Sequence, residues 1–189
     1  MKRNIFLKTL MLLLFICAMF IGRTCYAQED SEKETFQRHH KLSLVIGHSH
    51  VFEGIDAEGK RNVLFLPAWN LDYTYVLSRY WEIGLHTDIT VEKFKVEKNL
   101  DNDEVIQRSN PLAPALMGIF KPTEHWNFLL GFGEEFDIEQ NFFLMRAGVE
   151  YGTEFSKGWE VVGTLSYNFR FYGYDTWGLG LGIAKSFGK

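Results

Sequence analysis

The sequence predicts an all-β fold, an eight-stranded antiparallel up-and-down transmembrane β-barrel. Three observations predict it. Apolar and polar residues alternate with period two from Lys41 to the end of the chain. The links between the alternating runs are short and long in turn, and three runs begin on a tryptophan.

The alternation is clearest in "SRYWEIGLHTDITVE", residues 78–92. Trp81, Ile83, Leu85, Thr87, Ile89 and Val91 form one series. Glu82, Gly84, His86, Asp88, Thr90 and Glu92 form the other. "NVLFLPAWNLDYTYVLS" separates in the same way, with Phe65, Trp69, Leu71 and Tyr73 opposite Leu66, Asn70 and Asp72. "HWNFLLGFGEEF", "NFFLMRAGVEYGTEF", "GWEVVGTLSYNFRF" and "TWGLGLGIAKSF" supply four more runs. "KLSLVIGHSHVF" has Leu42, Leu44 and Ile46 in phase. "PLAPALMGIF" is ambiguous, because Pro111 and Pro114 each remove a ladder donor near its start. These make eight strands.

"SRY", "KPTEH" and "SKG" are short links, whereas "EGIDAEGKRN", "KNLDNDEVIQRS", "DIEQN" and "GYDT" are longer or more polar. Such alternation describes a meander with its short turns at one end, and an even strand number brings both termini there. The apolar series is too large and aromatic to pack inside eight strands, whose interior only just accommodates side chains. The glycine-rich polar series suits that interior. The apolar face therefore points to lipid, where closure leaves no unpaired edge; a soluble lipocalin-like barrel would reverse the faces. Trp81, Trp126, Trp159 and Phe187 form an aromatic girdle at the short-turn rim.

Ahead of the barrel, Lys2, Arg3 and Lys8 precede the apolar run "LMLLLFICAMFI", and small residues end near Ala27. This pattern is a secretory signal peptide, residues 1–27, followed by a polar periplasmic leader, 28–39, and the barrel, 40–189. The alternatives are an uncleaved anchor, for which the run is short, and lipidation at Cys25, which Gly22, Arg23 and Thr24 fit poorly. Both cysteines, Cys17 and Cys25, fall in the removed part, so the exported domain holds together without disulfides. The first 27 residues carry four of the 20 Lys and Arg and none of the 24 acids. The remainder has 16 against 24, a net charge of −8 that argues against a nucleic-acid partner.

On the girdle, the loop alternation and the final strand "WGLGLGIAKSF", residues 40–189 resemble the small eight-stranded outer-membrane barrels of the OmpA membrane domain and OmpX group. The last strand looks like their C-terminal insertion signal. It departs in continuing through Gly188 and Lys189, an ending similar to that of Bacteroidetes-type proteins. The resemblance implies an outer-membrane location, surrounding lipids, insertion by the barrel-assembly machinery and a monomer. It does not decide function, since the group spans adhesion, anchoring, uptake and lipid-modifying enzymes.

The interior series supplies Asp72, Glu82, His86, Asp88, Glu92, Glu135, Arg146, Glu150, Glu154, Glu160 and Arg170. Charges sealed from bulk water must pair or neutralise, so a network around Arg146 and Arg170 that plugs the barrel is expected. Eight acids against two arginines is an excess, unless rim members such as Glu82 and Glu135 are solvated. A metal held by His48, His50 and His86 would offset it, provided a bulge at Gly47 turns "GHSH" inward. A lipid hydrolase built on Ser49 would need a nucleophile, base and acid at the lipid boundary, and no signature motif supports it. The expected role is structural or binding, through external loops, with no cofactor and no enzymatic activity. A small-ligand or divalent-metal barrel and a lipid-modifying enzyme are the alternatives.

Overall fold

The computed structural model describes residues 36–98 and 104–188. The expected signal peptide, 1–27, and the expected leader through residue 35 lie outside the described residues. Ten strands follow in order: β1 (His39–Ile55), β2 (Arg61–Val76), β3 (Trp81–Thr90), β4 (Lys93–Glu97), β5 (Val105–Ser109), β6 (Leu112–Phe120), β7 (Trp126–Glu135), β8 (Phe142–Ser156), β9 (Trp159–Arg170) and β10 (Thr176–Phe187). All but β4 and β5 form a closed antiparallel barrel. β10 pairs back onto β1 from His40↔Phe187 to Val51↔Thr176, so the wall has no free edge.

The wall is apolar outside because the chain alternates. Leu42, Leu44 and Ile46 of β1, Trp69 and Leu71 of β2, and Leu179, Leu181 and Ile183 of β10 are all exposed. Trp81, Trp126, Trp159 and Phe187 stand exposed at the short-turn rim. Lys185 reaches that rim too, with its ammonium 5.0 Å from the Trp159 ring centroid. Such a belt loses nothing in hydrocarbon and is costly in water, so the wall is that of a membrane barrel. The strand that is ambiguous in the sequence, β6, joins this pattern. Ala113, Ala115, Met117 and Ile119 point inward, while Leu112, Leu116 and Phe120 point out.

Small residues let the strands coil tightly. A Cβ added at Gly47 would meet the Leu179 carbonyl oxygen and the Gly180 Cα, both backbone atoms of β10. Neither can move without breaking the seam. Gly47→Ala is expected to destabilise the barrel by about 1–3 kcal/mol, the usual cost of overpacking. Urea unfolding in detergent, followed by tryptophan fluorescence, measures it.

The long connection between β3 and β6 departs from the sequence reading. It is expected as an exposed loop; instead β4 and β5 pair as a hairpin, Lys93↔Ser109 to Glu97↔Val105. β4 also docks on the top of β1 through Gly54↔Val96 and Ile55↔Lys95. Phe94, Val96 and Ile106 turn toward the barrel and cluster with Val51, Leu66, Phe142 and Tyr174. Lys93, Lys95 and Gln107 face outward. The hairpin therefore lies as a lid on the long-loop mouth. It is entered and left through short bends, the second at Asn110, whose φ of 54° is in the left-handed region that asparagine tolerates. β3 ends at Thr90, so Glu92, expected in the lumen, is exposed beside the lid.

Candidate functional site: the lumen and its mouth

The lumen is filled by three linked tiers of polar side chains. Nearest the short turns, Lys41 lies between two buried carboxylates, 3.4 Å from Glu82 and 3.6 Å from Glu150. Asn127 donates its amide to Glu150 at 2.8 Å. Lys41 is 4% exposed although it sits at the start of β1, because the inward phase of the strand carries it inside.

The middle tier centres on Arg146, from β8. Its guanidinium pairs with Asp88 at 2.8 Å and donates to Asn168 Oδ1 at 2.6 Å. It also donates to the carbonyls of His86 and Ala113 at 3.2 and 3.1 Å. Asn70 and Asn168 complete Asp88 with their amides. Asp72 accepts from the Thr87 backbone at 3.3 Å. His86 Nδ1 is 3.7 Å from Asp72, beyond hydrogen-bond reach, and Nε2 is 3.3 Å from Thr74 Oγ1. Acid, imidazole and hydroxyl thus stand in a row, but inside the wall and away from any lipid substrate.

The upper tier centres on Glu135, 1% exposed at the end of β7. It takes Arg108 on one oxygen and Arg170 Nε on the other, each at 2.5 Å, and the Tyr174 hydroxyl at 2.8 Å. Burial pushes the Tyr174 hydroxyl upward in pKa, so it stays a donor. Arg108 comes from the lid. It also donates to the Gln140 carbonyl at 2.6 Å and lies 5.0 Å from the Phe142 ring centroid.

Two cavities flank the middle tier, of about 20 and 30 Å³. Each has room for about one or two waters and no more. Asn70, Asp88, Thr164 and Ser166 line both. Between Arg108 above and Lys41 below, the described lumen is packed with polar side chains.

The structure places the expected interior residues Asp72, Glu82, His86, Asp88, Arg146, Glu150 and Arg170 within the wall, all of them buried except half-buried Asp88. It also changes the charge count. Lys41 and Arg108 add two buried cations that the sequence reading leaves out, and Glu82 and Glu135 are paired rather than solvated. Glu154 is exposed and Glu160 half-buried.

The three histidines are not brought together. No bulge occurs at Gly47; the register of β1 shifts only between Val51 and Gly54. His48 and His50 therefore keep the phase of Leu42 and Ile46 and face outward. His50 stacks on Trp177 at 3.7 Å between centroids and meets Phe65 edge-on at 4.4 Å. His86 stands on the opposite side of the wall. Among the described residues no group of three or more His, Cys, Asp or Glu is arranged to hold a metal ion.

Among solved structures the chain is similar to Ail, the attachment invasion locus protein of Yersinia pestis, in complex with the heparin analogue sucrose octasulfate. It is 14% identical over 80% of this chain and 100% of that one, with a TM-score of 0.49. It is also similar to Neisserial surface protein A, at 11% identity, 80% and 100% coverage and a TM-score of 0.49. A third is the N-terminal β-barrel domain of Pseudomonas aeruginosa OprF, at 13% identity, the same coverage and a TM-score of 0.43. No protein-family model matches, and no curated protein matches. Likeness this distant transfers no function.

Sequence reasoning missed Arg108, Lys41 and Tyr174. A signal for the first was present: Phe94 and Val96, then Ile106 and Arg108, alternate with period two on either side of the polar "NLDND" stretch.

Proposed function

We propose that this chain is a monomeric outer-membrane β-barrel whose lumen is closed and whose role is structural or binding, carried by the long-loop end. One observation carries the reading: an apolar, aromatic-rimmed wall surrounds an interior packed with paired charges. Export by the segment 1–27 and insertion through the last barrel strand complete it. The buried ion pairs also favour a non-enzymatic role, because Asp72, His86 and Thr74 have no open face toward lipid.

Leu181, 71% exposed at mid-belt, tests the lipid-facing wall. In a bilayer, Leu181→Arg is expected to cost about 2–4 kcal/mol of folding free energy. On a water-facing wall the same change stays within about 0.5 kcal/mol. Equilibrium unfolding from lipid vesicles separates the two, and a neutral result sinks the membrane reading. Reconstitution into a planar bilayer tests the closed lumen. No stepwise conductance is expected, whereas steady single-channel current would show an open pore.

A further inference from the structure

The pocket that receives Arg108 is made entirely by other parts of the chain. Glu135 ends β7, Asp137 and Gln140 belong to the β7–β8 link, Phe142 starts β8, and Tyr174 lies between β9 and β10. Together they offer two carboxylates, a carbonyl and two aromatic walls, the rings 5.0 and 5.9 Å from the guanidinium carbon. That is a complete recognition set for a guanidinium ion.

The present occupant fills the pocket but leaves one of its donors unmet. Arg108 Nε is buried with no hydrogen bond, 3.6 Å from Asp137 Oδ2. That oxygen already accepts the Ser109 backbone N–H at 2.8 Å. The lid that carries Arg108 rests on the mouth by the packing of Phe94, Val96 and Ile106 and by a short ladder. Two ladder pairs join it to β1, Gly54↔Val96 and Ile55↔Lys95. Its other edge meets side chains instead of a strand, with Asp137 and Glu139 accepting the backbone N–H groups of Ser109 and Gln107. Without Arg108, Arg170 would still balance Glu135, and Asp137 would lack the cation beside it.

We propose that this pocket is a binding site for an external guanidinium-bearing ligand, and that Arg108 is its resident, displaceable occupant. The barrel presents the site at its long-loop mouth, and the lid competes for it. This rests on the binding role assigned to that end. Because it can be measured in detergent micelles, its failure is separate from the lipid and conductance tests.

The probe is agmatine, an alkyl guanidinium, titrated calorimetrically into the folded protein. Removing the internal competitor in Arg108→Ala is expected to tighten binding by about tenfold or more, because the apparent affinity of a self-occupied site falls in proportion to its free fraction. Adding Asp137→Asn should remove most of that gain. A folded Arg108→Ala protein that binds agmatine no better than the parent overturns the proposal. Should that variant not fold, a fluorophore on Lys95→Cys in the otherwise unaltered chain reports lid position. A saturable change with agmatine but not with urea supports displacement, and a flat response with agmatine overturns it.

Discussion

Glu135→Ala is expected to destabilise the barrel by about 3–5 kcal/mol, the usual penalty for breaking a buried ion pair from one side. The carboxylate serves two guanidinium groups and a phenol at once, and all three donors are buried. Its removal leaves Arg108 and Arg170 facing each other without an anion between them. The lid loses its anchor in the same step. Glu134→Ala, one residue earlier, is the control: that side chain is exposed on the outer wall and should change stability by less than about 0.5 kcal/mol. Urea titrations of both variants in the same detergent measure the contrast. Equal effects would show that the upper tier does not hold the mouth.

Arg146→Met is expected to cost a similar amount, about 3–5 kcal/mol. One side chain here satisfies Asp88, Asn168 and two backbone carbonyls from β3 and β6. Methionine fills much of the volume but donates nothing. The excess negative charge on Asp88 is then the main burden, so adding Asp88→Asn should restore part of the loss. A double-mutant cycle on unfolding free energies reads that coupling directly. Strict additivity would mean that Arg146 acts only by packing.

The wall was legible in the sequence because every strand position has just two choices of side, and lipid and lumen demand opposite chemistry. Trp81, Ile83 and Leu85 on one side of β3 and Glu82, His86 and Asp88 on the other follow from that rule alone. The lumen's composition followed with it. The pairings did not. Which cation meets Glu135 depends on a lid segment 27 residues earlier in the chain folding back over the mouth, and no local period encodes that. β4 and β5 are only five residues each, with Lys93 and Lys95 on the outer face of β4 and Arg108 on the inner face of β5, so charge masks their alternation. Lys41 reads as a strand start, yet the phase of Ser43 and Val45 already sends it inward. His48 and His50 went the other way: their phase was outward from the start, and only an inserted residue could have changed it.

The seam between β1 and β10 has a kinetic consequence. It pairs His40 with Phe187, residues from opposite ends of the described chain. Every other wall contact joins strands that are neighbours in sequence or separated only by the lid. The seam alone must bring together ends that the whole barrel separates, and the loss of chain entropy on closing so long a loop falls on this step. Until it forms, both β1 and β10 present unpaired backbone edges, and the lumen charges remain open to water. Closure of the seam is therefore expected to be the slow, committing event of assembly, and its close-packed Gly47–Gly180 crossing the place where that rate is set.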